Sequence, residues 1–470
     1  MDAPTHRLLQ AGDEVDGYRL EEKLHTGGMA ALWRVTDLQD RHQGSDLIMK
    51  VPRLFTTEDP TAIVAFEVEQ MIMPKLKGRH VPRFYGAGGF DAQPYIVMER
   101  VPGVSLLARF ERSPLPWTEV VDIAIRVALA LQDLHRQHVI HLDIKPSNIM
   151  FRPDGTAVLI DFGVARHDQL PDLLDEEFRL PFGTAPYIAP EQVLGVRREP
   201  RSDQFALGVL MYHLCTGQRP FGNPGRNKLK VRIWRDPVPP RAHKPDLPPW
   251  LQEVILRCLE VRPARRFDTM AQLAFVLQHH EQLPLTRRAE KLKRDGALKV
   301  LRRRFALTGV DSLFQQSAEG QLSAAPIVVT ALDLQCAPEL ADAIRKHAAL
   351  ILEAKPGARL ACVTVRRVNR IGLDESIVQQ GQNVHVKQLA ELRSWARPLG
   401  IGEERVTYHV LESPDPAAAI VSYANDNRAD HIVLGARGSS ALRRYLGSVS
   451  SQVVAEANCA VTVIKLGPES

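Results

Sequence analysis

The chain has 470 residues, of which 44% are hydrophobic and 24% charged, and its formal net charge is +5. This length allows two or three domains with cores of their own, and the composition is that of a globular protein and not of a disordered one. Five scattered cysteines without a CxxC pair argue against a disulfide framework and against a zinc site.

Charge and hydropathy also bear on where the chain acts. No run of about 18 apolar residues is present, so we expect no membrane span. The N-terminus lacks the apolar core of a signal peptide, and we expect a cytoplasmic chain. The basic character belongs to one segment, Pro284 to Arg304, with nine Lys or Arg against two Asp or Glu. We therefore expect no nucleic-acid partner.

The first structured segment is predicted to be a β-hairpin with a glycine turn. Residues 1–16 are a polar lead-in, and YRLEEKLHTGGMAALWRVTD follows as strand, turn and strand. Gly27 and Gly28 would let backbone amides approach phosphate groups without side-chain obstruction. Gly-Gly turns are common, so this segment alone does not establish a nucleotide site.

A lysine and two candidate partners come next. Lys50 lies near the end of the short apolar strand DLIMKV, and the following helix is predicted to begin at Pro60 after an Asp59 N-cap. On that helix Glu67 and Glu69 point about 160° apart, so only one of them can face the lysine.

The stretch from Val139 to Gly163 carries the clearest chemistry. Asp143, Lys145 and Asn148 fall on one loop, and Asp161 comes thirteen residues later, after a predicted β-hairpin with a Pro-Asp-Gly turn. The hairpin brings two carboxylates, an amide and an ammonium to one point. One carboxylate can accept a hydroxyl proton, while the other, with the amide, can hold Mg²⁺ on nucleotide phosphates.

The sequence HLDIKPSN followed by DFG resembles the protein-kinase signature H-R-D-x-x-x-x-N and D-F-G. The K-P-S-N form is similar to the serine/threonine type. GTAPYIAPE resembles the family's A-P-E segment, and Asp203, Glu191 and Arg266 match positions that we interpret as scaffold. The resemblance covers residues 17–283 and implies the two-lobed α+β fold of a Hanks-type bacterial kinase.

The resemblance implies catalytic roles that use ATP and Mg²⁺. Asp143 would orient and deprotonate the substrate hydroxyl, and Lys145 would neutralise charge on the γ-phosphate. Asn148 and Asp161 would be the metal ligands.

The resemblance also selects the partner of Lys50. The spacing around Glu69 matches the helix glutamate of the family, so Lys50 with Glu69 would position the α- and β-phosphates. Glu67 is the competing candidate.

An adenine site follows from the same resemblance. Met98 in PYIVMERVPG would lie behind the base, and backbone groups of Glu99 and Val101 would bind its edge. His25 and Ala30 stand where the family's phosphate loop has glycines. This departure predicts a stiffer loop that binds nucleotide less tightly.

The segment between DFG and A-P-E departs from the phosphorylated kinases. Leu142 replaces the arginine that binds a phosphate there, and Thr184 is the only Ser or Thr within 161–191. In the family, this threonine packs beside the catalytic aspartate. We expect activity without phosphorylation of the segment, whose negative charge comes instead from Asp172, Asp175, Glu176 and Glu177.

Residues 284–324 are predicted to be a linker. Its first half is basic and favours a solvated helix, with contact to anionic lipid or RNA as the alternative. Its second half is small and polar, which favours flexibility.

From residue 325 onward, strands and helices alternate, which predicts an α/β doubly wound parallel sheet. The predicted strands are APIVVTALD, LACVTVRRV, RVTYHVL, HIVLG and AVTVIK, and the predicted helices lie near 338–354, 384–398 and 414–427.

A second glycine-rich turn lies near the C-terminus. Gly435, Gly438, Gly447 and Ser448 fall between a strand and a helix, where amides and a hydroxyl can bind phosphate. The turn resembles that of nucleotide-binding universal stress proteins, with a spacer about one residue shorter. The resemblance implies that Asp333 contacts the nucleotide. A tight turn with a helix cap would also explain these glycines.

Together the resemblances imply an ATP- and Mg²⁺-dependent kinase that phosphorylates Ser and Thr on proteins in bacterial stress signalling. The second domain, residues 325–470, would bind a second nucleotide and form a homodimer through its last strand. One alternative is a pseudokinase that acts as a nucleotide-dependent scaffold. Another is a small-molecule kinase, against which the peptide-binding segment GTAPYIAPE argues.

Overall fold

The computed structural model describes most of the chain. Gly28, Asp59 and Gly438 lie outside the described residues, and so do most of the predicted linker and the end of the chain. No helix in the described part is long and apolar enough to cross a membrane. The described residues are 9–27, 30–42, 44–53, 60–90, 92–178, 181–223, 229–294, 296, 300, 326–355, 357–368, 384–402, 405–436 and 447–465.

An antiparallel sheet forms the small lobe of the first domain, with strand order β1-β2-β3-β4-β6-β5. Leu20, Trp33, Met49 and Val97 are buried together in one apolar cluster of this lobe. The strands are Glu14–Val15 (β1), Tyr18–Thr26 (β2), Ala30–Asp37 (β3), Leu47–Pro52 (β4), Phe84–Gly88 (β5) and Tyr95–Glu99 (β6).

One helix, Pro60–Ile72 (α1), accompanies this sheet and is buried along most of its length. Its buried residues include both Glu67 and Glu69. Because a buried carboxylate is costly unless it is paired, each glutamate requires a partner on its own side of the helix.

The large lobe is mainly helical. Its helix Arg201–Thr216 (α6) is buried on nearly all sides and packs against α3 and α9. The two-lobed α+β architecture expected from the sequence is therefore confirmed. The helices are Leu107–Phe110 (α2), Trp117–Arg136 (α3), Leu173–Phe178 (α4), Pro190–Val193 (α5), Arg201–Thr216 (α6), Val231–Trp234 (α7), Pro240–His243 (α8), Pro249–Cys258 (α9) and Met270–Gln278 (α10).

Short strands in the large lobe carry the loops of the candidate site. The predicted hairpin is present, since β9 and β10 pair in antiparallel register with Phe151 opposite Ala157. A second pair, β8 with β11, joins the start of the loop to the chain that follows the hairpin. The strands are Val104–Ser105 (β7), Val139–Ile140 (β8), Ile149–Phe151 (β9), Ala157–Leu159 (β10) and Arg166–His167 (β11).

The start of the basic segment differs from the expected solvated helix. A single helical turn, Arg287–Glu290 (α11), packs on α9 of the large lobe. Arg288 forms an ion pair with Glu253 at 3.0 Å, and the Gln252 side chain donates to the Arg288 and Ala289 carbonyls at 2.8 and 3.1 Å. These contacts hold the segment on the lobe, so packing continues past residue 283.

The second domain is a parallel sheet with strand order β14-β13-β12-β15-β16. The buried residues form one apolar cluster on each face of the sheet, and the predicted doubly wound sheet is confirmed. The elements are Ile327–Ala331 (β12), Pro338–Ala354 (α12), Arg359–Arg366 (β13), Val384–Ala396 (α13), Val406–Glu412 (β14), Pro416–Asp426 (α14), His431–Gly435 (β15), Ser448–Glu456 (α15) and Ala460–Ile464 (β16).

The two domains pack directly on one another. Helix α4 of the large lobe lies against the edge strand β14 and against α14. One buried apolar cluster also includes residues of both domains. Edge strands offer unpaired backbone groups, and α4 lies beside this one.

Candidate functional site

Lys50 is the centre of a charged triad in the cleft between the lobes. Strand β4 carries Lys50, whose Nζ lies 2.5 Å from Glu69 Oε2 of α1 and 2.8 Å from Asp161 Oδ1. Burial lowers the pKa of Lys50, but Asp161 and Glu69 outweigh it and raise that pKa above its ordinary value. The charge of Lys50 in turn lowers the pKa of Asp161 to about 2. Lys50 and Asp161 are therefore ionised at neutral pH, while burial raises the pKa of Glu69 above its ordinary value.

The Asp143 carboxylate is held at both of its oxygens. Oδ2 accepts from Lys145 Nζ at 2.7 Å, and Oδ1 accepts from the Thr184 backbone amide at 2.7 Å. The Asn148 side-chain amide donates to the Asp143 carbonyl at 3.0 Å and to Oδ2 at 3.3 Å. The loop thus brings Asp143, Lys145 and Asn148 together, as their spacing predicted.

The backbone of this region is held in an unusual conformation. Leu142 and Asp161 have φ values of 63° and 69°, a left-handed region that few non-glycine residues adopt. The buried carboxylate of Asp203 accepts from the amides of His141 and Leu142 at 2.9 and 2.8 Å and pairs with His135 at 2.8 Å. Asp203 thereby holds the strained turn that leads into Asp143.

Asn148 and Asp161 offer the donor chemistry that Mg²⁺ requires. Both have side-chain oxygens that could act as ligands, and the Asp161 side chain is 43% exposed. Among the described residues, no group of three or more His, Cys, Asp or Glu could hold a metal by itself. This donor set fits Mg²⁺, which takes one or two protein ligands and completes its shell with phosphates and water.

The predicted adenine-binding residues follow one another along β6 and the loop after it. Met98 is buried and lies opposite Ile48 of β4, two residues from Lys50. Glu99 donates its amide to a neighbouring carbonyl at 2.8 Å, and its carboxylate forms a two-contact ion pair with Arg152. Val101 is partly exposed after the strand. Sequence reasoning did not find Arg152, which holds the start of this loop against the hairpin.

The glycine turn is described only in part. Gly27 donates its amide to the Ala30 carbonyl at 2.9 Å, and its own carbonyl accepts from Arg53 at 3.1 Å. His25 is exposed near the end of β2, and Gly28 lies outside the described residues.

Two of the three residues interpreted as scaffold, Glu191 and Arg266, form a buried ion pair. Arg266 contacts Glu191 at 2.6 and 2.8 Å, and both side chains are fully buried. The pair ties the A-P-E segment to the chain before α10.

The second domain contains a cavity of about 500 Å³ at the carboxyl ends of β12 and β15. Ligands of open α/β sheets bind at such a point, where the strand order reverses. Asp333, Gly435, Gly447 and Ser448 all line the cavity, while Gly438 lies outside the described residues. Other polar lining residues include Arg366 at the end of β13, Arg367 directly after it and Gln388 of α13.

The packing of helix α12 also explains why a glycine occupies position 435. A Cβ at this position would lie 2.9 Å from Leu340 Cδ2 and 3.1 Å from Ile344 Cδ1, so a larger residue would force the ends of these two α12 side chains to shift. Gly447 is the N-cap of α15, and Ser448 begins the helix. Two of the predicted residues therefore have structural uses as well as a place in the cavity.

Comparison with known families agrees with this geometry. The family model "protein kinase domain" matches residues 18–280. The chain belongs to the protein kinase family. The universal stress protein family matches residues 327–465, which covers the parallel sheet and its cavity.

Similar proteins are bacterial serine/threonine-protein kinases. PknA of Mycobacterium tuberculosis is 32% identical over 256 residues, covering 53% of this chain and 58% of PknA. PknB of Mycolicibacterium smegmatis is 32% identical over 275 residues, covering 57% of this chain and 43% of PknB. A probable serine/threonine-protein kinase of Clostridium acetobutylicum is 29% identical over 259 residues. The match covers 38% to 58% of the length of these relatives.

The acidic residues of the kinase activation segment have basic partners. Asp172 lies 3.0 and 2.9 Å from Nε of Arg197 and 3.4 Å from Arg166. Glu176 and Glu177 face the second domain. Sequence analysis assigned these residues a general negative charge, whereas the structure gives each of the three a specific contact.

Proposed function

We propose that this chain is a serine/threonine protein kinase of bacterial stress signalling, which transfers the γ-phosphate of ATP to protein hydroxyls with the help of Mg²⁺. The observation that carries the proposal is the position of Lys50 between Glu69 and Asp161, at 2.5 and 2.8 Å. A lysine, a helix glutamate and a metal-binding aspartate must meet in this way for phosphoryl transfer in protein kinases.

The mechanism assigns a role to each side chain. Lys50, oriented by Glu69, would bind the α- and β-phosphates, and Asn148 and Asp161 would hold Mg²⁺. Bound Mg²⁺ would supply the positive charge that offsets the developing charge on the phosphates. These groups act by positioning and electrostatics.

Proton transfer falls to Asp143. Its carboxylate would accept the proton of the substrate hydroxyl, while Lys145, 2.7 Å away, would neutralise charge on the transferred phosphate. The Thr184 amide orients the carboxylate from the other side. Glu99 and Val101, with Met98 behind, would bind the adenine.

A pseudokinase is the competing function. His25 and Ala30 in place of loop glycines favour it, because such a loop would bind phosphates less closely. The full set of charged residues favours catalysis.

The test is to incubate the purified chain with γ-labelled ATP, Mg²⁺ and a basic protein substrate, with Asp143→Asn as the matched control. We expect labelled Ser or Thr with the wild type and none with the variant. Equal labelling by both would contradict the assignment of Asp143, and nucleotide binding without any labelling would favour the pseudokinase.

We also propose that the second domain binds a nucleotide in its cavity and forms a homodimer through β16. The cavity chemistry supports the first part. For the second, α4 packs beside β14, while within the described residues β16 pairs with β15 alone. Val461 and Val463 on this strand are apolar and only partly buried.

Light scattering on the full chain tests the dimer. Val461→Lys should convert it to a monomer, because a charge on an edge strand opposes pairing. An exposed Lys387→Ala variant is the control. A monomeric wild type, or a dimer unaffected by Val461→Lys, would contradict the proposal.

A further inference from the structure

The second domain contacts α1 through the glutamate that does not face Lys50. Glu67 is 3% exposed and forms an ion pair with Arg393 of α13. The Arg393 guanidinium also lies over the rings of Phe90 and Tyr408, at 5.2 and 5.3 Å. Glu67 and Glu69 are two residues apart, so the helix is held by the second domain on one side and by Lys50 on the other.

A second contact is made to α4 of the activation segment. His409 of β14 is fully buried, and its ring nitrogens lie 3.4 Å from Glu176 and 3.6 Å from Glu177. Arg359 of β13 pairs with Glu176 at 3.0 Å, and the Tyr423 hydroxyl lies 3.5 Å from the same carboxylate. We call the Glu67–Arg393 pair and the His409–Arg359–Glu176–Glu177 group the interdomain clamp.

The clamp acts on the two elements that decide whether a kinase cleft is assembled. Helix α1 carries Glu69, and α4 lies in the segment between Asp161 and Thr184. In the clamped arrangement Lys50 meets Glu69, and the Thr184 amide meets Asp143. Kinases commonly order these elements by a phosphate bound to arginine, and here fixed carboxylates meet the second domain instead.

We propose that His409, Arg359 and Arg393 are positioning residues for the kinase reaction, and that the second domain activates the kinase domain of its own chain by holding α1 and α4. None of the three contacts the residues assigned to ATP or to the substrate hydroxyl. The effect on rate rests on the proposed kinase function, whereas the effect on the order of α1 and α4 does not.

Several charges determine the pH dependence of the clamp. Burial lowers the pKa of His409, but Glu176 and Glu177 outweigh it and raise that pKa to about 9. Burial raises the pKa of Glu177 to about 7, while the pKa of Glu176 is lowered, because His409 and Arg359 outweigh its burial. The groups that face His409 are Glu176 and Glu177 of α4, Tyr423 of α14, Arg359 of β13 and Glu67 of α1.

The sign of the effect follows from the raised pKa of His409. Its stabilising charge is fully present below 6.5, the ordinary value, and is lost as the pH rises through about 9. Glu177 acts in the same direction, because its raised pKa favours the neutral carboxyl and that stabilisation is lost as the pH rises through about 7. Glu176, whose pKa is lowered, is ionised at neutral pH and keeps its contact with His409 there. The contact of His409 with α4 should therefore hold at neutral pH and weaken above about 9.

The experiment measures hydrogen exchange of α1 and α4 in the full chain, together with the initial rate of phosphorylation. Arg393→Ala and Glu67→Gln break one contact from its two sides, and His409→Gln breaks the other. We expect each to lose protection in α1 or α4 and to lower the rate about 5- to 30-fold, the usual range of coupling between sites. Compared with Arg393→Ala, Arg393→Lys should restore part of the protection and part of the phosphorylation rate.

Two controls accompany these variants. Lys387→Ala changes a side chain on α13 that is 58% exposed and should alter neither readout. Asp143→Asn should be inactive yet keep full protection of α1 and α4. The sheet of the second domain should stay protected in every variant, which separates an opened clamp from an unfolded domain.

A pH series provides the readout that a merely structural role would not change. After correction for intrinsic exchange, wild-type protection of α4 should fall as the pH rises through about 9. His409→Gln should show low protection at every pH.

Unchanged protection and rate in His409→Gln and Arg393→Ala would overturn the proposal, and so would faster phosphorylation, since the clamp would then restrain the kinase. Lost protection with an inactive wild type would support the clamp and contradict the kinase function. The two ideas can therefore fail separately.

Discussion

The kinase cleft and the cavity of the second domain are lined by different kinds of residue. In the cleft, charged side chains from separate elements meet in pairs, such as Lys50 of β4 with Glu69 of α1 and with Asp161. The predicted residues that line the cavity are two glycines, a serine and Asp333, beside two arginines, Gln388 and apolar side chains. A lysine between two carboxylates in the cleft indicates one kind of chemistry, whereas a glycine also serves packing, as Gly435 does against Leu340. Function is therefore easier to infer from the cleft than from the cavity.

The largest expected effect lies in the cleft. Asp161→Asn should abolish autophosphorylation by removing a metal ligand, and Lys50→Met should nearly do so, because the loss of one positioned charge costs about 10²-fold or more. The measurement is incorporation of label from γ-labelled ATP with Mg²⁺, beside thermal unfolding as a control for folding. Labelling that survives both substitutions would contradict the assignment of the cleft.

The next effect tests the packing explanation of the cavity glycines. Gly435→Ala should lower the free energy of unfolding of the second domain by about 1 to 3 kcal/mol, since overpacking a filled site costs this much. Thermal unfolding of the full chain measures it, with Gly296→Ala as the control, because the backbone there is not left-handed and an added Cβ would meet nothing within 4 Å. Unchanged stability would leave ligand binding as the better explanation of this glycine.

A smaller effect tests ligand binding in the cavity. Ser448→Ala should weaken ATP binding about 2- to 10-fold, the worth of one hydrogen bond, and Asp333→Ala should weaken it at least as much. Both are measured by calorimetry in a Lys50→Met background, which weakens binding in the kinase cleft. Ser422→Ala, on the exposed side of α14, is the control. Equal affinity in all variants would show that the cavity does not bind ATP through these groups.

The last prediction is that removing phosphate from the enzyme has no effect on its initial rate. Phosphatase-treated enzyme should show no lag in its first turnovers, because Asp172 already pairs with Arg197 and Arg166, and Leu142 cannot bind a phosphate. The measurement is a time course on an added substrate, with and without prior incubation with ATP. A lag removed by ATP, together with phosphate mapped to residues 161–191, would contradict this expectation.

The sequence predicted the elements and the short-range geometry well. Helix α12 spans the predicted 338–354, since strong apolar periodicity determines such elements locally. The spacing within one loop and one hairpin likewise brought Asp143, Asn148 and Asp161 into one region. The choice between Glu67 and Glu69 depended on helix geometry together with the family pattern, and Glu69 is the residue that contacts Lys50.

The contacts that the sequence did not predict are long-range. Arg393 pairs with Glu67 across 326 positions, and no local pattern specifies such a partner. The sequence nevertheless indicated that α1 has a second charged partner, because two glutamates on an otherwise apolar helix require two partners. In the same way, nothing near Arg288 indicated that the basic segment would be held by Glu253.

Helix α13 carries one residue that lines the cavity and another that contacts the kinase domain. Gln388 and Arg393 are five positions apart, about 7.5 Å along a helix. A ligand that binds the clamped and released forms with different affinity would shift the kinase between them. Thermodynamic reciprocity requires the converse, since ATP bound in the kinase cleft would change the affinity of the cavity for its own ligand by the same factor. The second domain would then report the occupancy of the kinase as well as control it.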